Sequence, residues 1–342
     1  MLKTSIWKMI AIGLMISSTN AIAQTEDFYK NKTVSLVVSS SAGGIYDLTA
    51  RTIANYLGKH IPGNPTIVVK NMFGAGGIVA TNYLYNISPK DGLEIGLVQG
   101  NTPFEPLLGT KGAIYDCSKF NWLGSPGFDT AILQTWNTVP VKSIEEARKI
   151  EITSASSGAN SAQAFYSRML NELLGLNLKI ISGYTGQADT YIAMERGEVD
   201  AYASGWYSSL KSSKPSWLIE KKVTLLVQYG PEPEKEILDV PTVASFLTND
   251  DDRKLYTVSI AQLALGRPLL TPPGVPADRV EILRKALMET LISPEFIAEA
   301  NRLNLGLNTP RSADQLKKIV DDVYATPEPI LNRMRKWANP PQ

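Results

Sequence analysis

The chain is almost without cysteine and histidine: Cys117 and His60 are the sole examples in 342 residues. One thiol forms no internal disulfide, so the fold must stand on its apolar core in any redox compartment. Zinc cages of Cys and His are excluded by count. A Ser-His-Asp triad would have to recruit His60, which ends a helical stretch in His60-Ile61-Pro62-Gly63, where a structural role at the terminus fits better. An excess of charge is missing too. The 34 basic residues face 33 acidic ones, which argues against nucleic acid and anionic membrane surfaces as partners. Nucleotide fingerprints also fail. Gly74-Ala75-Gly76-Gly77 lacks a third glycine at dinucleotide-binding spacing, and no Gly-Lys-Ser or Gly-Lys-Thr follows it. No cofactor and no metal are expected.

The apolar run Met9 to Ile16 is far shorter than the roughly 20 residues a bilayer-spanning helix needs. Lys3 and Lys8 flank its start, and polar residues lead from it to Ala21-Ile22-Ala23, the layout of a cleavable export signal. Residues 1–23 are read as that signal, with cleavage after Ala23 and a periplasmic destination. No cysteine follows the cleavage site, so a lipid anchor is not expected.

What remains is roughly 320 residues, above the usual size of one domain. Thr33 to Val38 is β-rich, Gly43 and Gly44 follow, and a helical pattern begins near Leu48. The order strand, glycine loop, helix returns at Thr66 to Val69, Gly74 to Gly77 and Ile78 to Leu84, and a third strand runs from Leu93 to Val98. Ile132 to Gln134, Ile150 to Thr153, Leu178 to Ser182, Ala201 to Ala203 and Val223 to Gln228 read as a second set of strands. Helices alternate with them. This pattern predicts an α/β fold with two lobes of mainly parallel sheet. Lobe one is expected over 24–125 and lobe two over 126–245. Residues 246–342 are expected as a return segment with C-terminal helices, mostly on lobe one. Pro241 to Leu263 reads as irregular, with Asp250 to Arg253 as a charged loop and Leu270 to Pro276 as a stiff connector. Val280, Leu283, Leu287 and Leu291 share one face of a later helix.

Glycine loops at helix N-termini gather backbone N–H groups and the positive end of the helix dipole, which suits an anion. For any one loop, easy turning is the simpler explanation. Three such loops, the third at Ser154 to Ser161, shift the balance if they meet at one crevice. The candidate ligand contacts are Ser40, Ser41, Gly43, Gly44, Tyr46 and Asp47 in the first loop, and Phe73, Gly74, Ala75 and Gly76 in the second. Asn101 follows the third strand. Ser156, Ser157, Asn160, Ser161, Tyr184, Ser204 and Trp206 would close from the other lobe. Asp47 has a competing role as a cap for helix N–H groups. Trp206 stands directly after a strand, where its ring should emerge at the cleft.

In its motifs the chain resembles the solute-binding receptors of tripartite tricarboxylate transporters, the Bug-type periplasmic proteins, over nearly the whole of its exported length. The likeness rests first on Ala42-Gly43-Gly44-Ile45-Tyr46-Asp47 with Ala50-Arg51, and on Asn71-Met72-Phe73-Gly74-Ala75-Gly76 with Asp91-Gly92 after it. Ser157-Gly158, Tyr184-Thr185-Gly186, Gly197-Glu198-Val199-Asp200, Asp239-Val240-Pro241-Thr242-Val243 and Pro273-Gly274-Val275-Pro276 match in order and spacing. Ala42 and Phe73 stand where the family has proline, and Ala162-Gln163 where it commonly has a histidine. The resemblance implies a periplasmic-binding-protein-like fold, two α/β lobes around a ligand cleft, in a monomeric, non-enzymatic receptor that holds a small organic carboxylate through backbone amides and water and hands it to membrane permease subunits. Two alternatives are a sensor that docks on a membrane kinase and an exported hydrolase or isomerase using carboxylates such as Asp47 and Asp200.

Overall fold

The computed structural model describes residues 28–340 apart from Asn160, Thr185 and Asn308, so the export signal and its cleavage point lie outside the described residues. β1 (Thr33–Val38) leads into α1 (Ile45–Leu57) and β2 (Thr66–Asn71) into α2 (Ile78–Asn86), followed by β3 (Glu94–Leu97) and β4 (Asn121–Ser125). The chain then builds β5 (Ala131–Trp136), β6 (Ile152–Ser156), α3 (Ala162–Leu174) and β7 (Leu178–Ser182). Next come α4 (Gln187–Glu195), β8 (Ala201–Trp206), β9 (Val223–Tyr229) and α5 (Asp250–Ser259). It returns through β10 (Leu269–Thr271), α6 (Ala277–Ile292) and α7 (Pro294–Arg302) to β11 (Arg311–Ser312), α8 (Ala313–Tyr324) and α9 (Glu328–Ala338).

These strands form two sheets, ordered β11-β4-β10-β3-β1-β2 and β7-β6-β8-β5-β9. β1 pairs in parallel with both β2 and β3, and Val34 to Val38 are buried, which is why this central strand reads as a continuous apolar run. β2, at the sheet edge, alternates exposed and half-buried residues and carries Lys70, a charge that discourages edge pairing. Both sheets are mixed, where mainly parallel ones were expected: in the first, β10 is antiparallel to β3 and β4 and β11 is antiparallel to β4, and in the second β6 is parallel to β7 and β8 while β5 is antiparallel to β8 and β9. On α6 the stripe Val280, Leu283, Leu287 and Leu291 is buried as expected, and the helix lies against α1 and β4.

Two further expectations are corrected. Asp250 to Arg253 is the first turn of α5 and not a loop: the Asn249 side chain accepts the Asp252 N–H at 2.8 Å, and three aspartates sit where the helix dipole favours them. Leu270 to Pro276 begins as strand β10, whose Leu269 and Leu270 are fully buried between β3 and β4. Return segment 246–342 is shared between the sheets, since α6 and α7 pack on α1 whereas α9 packs on α3.

The chain passes from the first sheet to the second after β4 and back before β10, and the two passages touch. The Ser125 hydroxyl donates to the Gly127 carbonyl at 2.9 Å and accepts the Arg267 N–H at 3.3 Å, while Asp129 N–H donates to Leu263 O at 3.3 Å. Gly266 turns here with φ +61, and a Cβ at this position would lie 2.0 Å from the Gly127 carbonyl oxygen. Gly266→Ala should therefore lose on the order of 3 kcal/mol or more in urea unfolding, because a strained φ and a backbone clash act together. Gly43→Ala, at φ +84 but with nothing within 4 Å, is the control and should lose only about 1 kcal/mol.

Candidate functional site

A cavity of about 590 Å³ lies between the two sheets. From the first-sheet side it is lined by Ile45, Tyr46, Gln99, Asn101 and Glu105, and from the second by Ser161, Ala162, Gln163, Gln187, Ser204 and Trp206. Phe104, Leu108, Phe165 and Met334 add apolar wall, and Asp129, Gln262 and Gly266 belong to the crossing region. The first residues of α1, α3 and α4 thus all border one space. Each helix start carries partial positive charge from its aligned peptide dipoles.

Local sequence explains why these starts are left accessible. Gly44 is the N-cap of α1 and Gly186 that of α4, and neither has a side chain to cover the first turn. On α3, Ser161 Oγ takes the Ala164 N–H at 3.2 Å, deeper in the turn than Ala162 and Gln163. Ser157 donates to Gln163 Oε1 at 3.2 Å and so orients a cavity side chain without lining the cavity itself. Among the described residues, no lysine or arginine lines this space.

At the crossing, Asp129 and Arg267 form an ion pair at 3.5 Å, with side chains only 5% and 3% exposed. Arg267 also donates to Leu305 O at 3.2 Å, and its guanidinium lies 5.7 Å from the Trp206 ring centre. Burial pushes the Asp129 carboxyl up, against the opposing pull of Arg267 and of the Ser208 hydroxyl. The Tyr46 hydroxyl donates to Gly266 O at 3.3 Å, and burial raises it to about 12. Both are neutral or self-compensated contributions to the cavity.

Of the residues marked from the sequence, Tyr46, Asn101, Ser161, Ser204 and Trp206 come together on the cavity wall. Ser41, Gly43 and Gly44 are exposed beside α1 and Ser40 is half-buried. Phe73 is 70% exposed, and Gly74, Ala75 and Gly76 form the turn before α2 without lining the cavity, although the adjoining Gly77 packs against Gln99. Ser156 bonds Ser182 and Gly158, and Tyr184 packs against the second-sheet core. Asn160 lies outside the described residues. His60 faces Glu289 at 3.5 Å, on the surface of α6.

Asp47 is 2% exposed and its oxygens hold the first loop together. They accept from Gly43 N–H and Arg51 Nε at 2.9 Å each, and from Asn71 Nδ2 at 2.9 Å. It therefore braces the loop from inside the helix rather than acting as its N-cap. Sequence reasoning missed Gln99, Glu105, Gln163, Gln187, Asp129 and Gln262. The rule that picked Asn101, a polar residue in the loop after a strand, applied equally to Gln99 and Glu105. Asp129 and Gln262 reach the site through a crossing that only the topology reveals. A second cavity of about 370 Å³, mostly apolar, lies among β9, α5 and α8, with its Arg311 already paired to Glu232 at 3.3 Å.

No family model matches the chain. It is 22% identical over 321 residues to the UPF0065 protein in the TAR-I ttuE-ttuC' intergenic region of Agrobacterium vitis, covering 90% of this chain and 87% of that one. A TctC solute-binding protein from Polaromonas superimposes with a TM-score of 0.69 at 17% identity, over 91% of this chain and 99% of the other. The chain has the fold of the TctC-type solute-binding proteins. MatC from Rhodopseudomonas palustris with bound malate gives a TM-score of 0.60 at 20% identity, covering 90% and 98%. An R. palustris protein with adipate gives 0.63 at 19%, covering 89% and 97%. The expected architecture of two α/β units and the expected resemblance both hold.

In this TctC-type fold the Asp47 brace is open to a pH test. Burial alone would raise its carboxyl, but the bonds from Arg51, Gly43 and Asn71 outweigh burial and hold it at about 2. A folded-state value below the unfolded one stabilises above about pH 4, and that contribution is lost as pH falls toward 2. Because Arg51 is half exposed, the contribution is roughly 1–2 kcal/mol. Asp47→Asn should lose that much at pH 7, and in urea unfolding the gap from wild type should close between pH 4 and pH 2.

Proposed function

We propose that the protein is a periplasmic solute-binding protein that captures a small organic carboxylate and delivers it to the permease subunits of a tripartite tricarboxylate-type transporter. The observation that carries this reading is the single cavity on which α1, α3 and α4 all begin, with no lysine or arginine among its described lining residues. An anion entering it meets oriented amide dipoles and neutral side chains such as Gln99, Asn101 and Gln163. Such groups stabilise a carboxylate and need no desolvated counter-charge, which keeps release easy. The malate and adipate in two neighbours of the same fold support the choice of ligand class.

The Ser125 to Asp129 and Leu263 to Arg267 passages connect the two sheets and serve as the hinge about which they close. Among the described residues, no helix is long and apolar enough to cross a membrane. On this reading the receptor meets its permease from the periplasm as a monomer. It binds and releases without turning its ligand over.

A thermal-shift screen of mono-, di- and tricarboxylates should find at least one stabilising acid, worth about 2.7 kcal/mol at a hundredfold excess over Kd. Chromatography should recover that acid unchanged. Stabilisation by sugars or cations alone would sink the proposal.

A further inference from the structure

We infer that Glu105 makes this cleft select carboxylates that also carry a hydrogen-bond donor, above all an ammonium group, and reject those with a second carboxylate. The inference rests on the carboxylate reading of the cavity and adds a substrate class to it. Glu105 lines the cavity in the segment that follows β3. Its carboxylate is held in place at both ends: Oε1 accepts from Asn101 Nδ2 at 2.7 Å and Oε2 from Thr110 Oγ1 at 2.6 Å. A carboxylate oxygen has two acceptor sites, so each retains capacity for a donor from the ligand.

Its charge is uncompensated. Among the described residues no lysine, arginine or histidine forms an ion pair with Glu105. Asp129, the other acid on the cavity wall, is neutralised by Arg267. Arg335 on α9 is turned to other work, donating to Leu107 O at 3.1 and 2.9 Å and pairing with Glu328. The starts of α3 and α4 belong to the other sheet, while the wall that holds Glu105 has only the start of α1, so the cleft pairs a positive-leaning wall with a wall that also bears a carboxylate. A ligand with carboxylate at one end and ammonium at the other meets both in the favourable sense. A dicarboxylate that satisfies the helix starts brings its second charge toward Glu105 in a half-buried space, where like charges repel strongly. The bonds to Asn101 and Thr110 also fit a purely structural role, that of tying the turn, and such a role leaves ligand preference untouched.

Isothermal titration of the full exported chain decides between these roles. The ligands are straight-chain acids of four, five and six carbons whose last carbon is a methyl, a hydroxymethyl, an aminomethyl or a carboxylate group. At the chain length that binds best, the amino acid should bind at least tenfold tighter than the dicarboxylate of equal length. Glu105→Gln should narrow that ratio to threefold or less, chiefly by tightening the dicarboxylate, and Glu105→Asp should keep its sign. Equal or tighter binding of the dicarboxylate by the wild type overturns the role of Glu105 and leaves the carboxylate reading standing. So does a ratio unchanged in Glu105→Gln. If no acid of any series binds, both fall. Should Glu105→Gln fail to fold, the wild-type ratio still decides.

Discussion

The buried pair of Asp129 and Arg267 is the constraint on which the geometry of the two sheets depends. One partner belongs to the passage out of the first sheet and the other to the passage back, so their contact at 3.5 Å fastens two segments far apart in sequence. Charges this deep are costly to desolvate, and removing one alone leaves the other stranded, typically at a cost of about 3–5 kcal/mol. The same contact keeps the base of the cavity electrically quiet. Arg267 also lies beside Trp206, and Tyr46 reaches the Gly266 carbonyl, so side chains from both sheets converge on this short stretch.

Around that base the cavity is built from dipoles more than from charges. Asp47 shows how the arrangement is maintained. Its carboxylate could have occupied the start of α1, but it turns to Gly43, Arg51 and Asn71 and leaves the first turn accessible. Ser161 does the complementary thing on α3, where it satisfies an amide inside the turn. In both cases a side chain that could fill the site stabilises the loop that frames it.

The fold was largely legible in the sequence, because central strands such as Val34 to Val38 and the amphipathic stripe of α6 advertise their surroundings in their periodicity. The misreadings came where local pattern and tertiary context part company. Three consecutive aspartates look like a solvated loop until Asn249 is recognised as a cap, and Leu269 to Thr271 is too short to announce itself as a strand that joins β3 to β4. The candidate site was half legible. Tyr46, Asn101, Ser161, Ser204 and Trp206 follow from the rule that loops after strands meet at a cleft. Phe73 and Gly74 to Gly76 obey that rule but do not line the cavity, whereas their neighbours Gln99 and Asn101 do. Asp129 and Gln262 had no local signature, because their position is a property of the chain's route.

That route has a consequence for how the molecule assembles. The second sheet uses one unbroken stretch, Ala131 to Trp136 through Val223 to Tyr229, whereas β3 and β4 of the first are bridged only by β10. As the chain is made N-terminus first, the second sheet can acquire all its strands while the first still has a gap in its middle. The β3 and β4 edges stay open until Leu269 to Thr271 arrives, and unpaired edges invite mispairing. Completion of the first sheet is thus a late, long-range event, and the cleft that needs both sheets forms last of all.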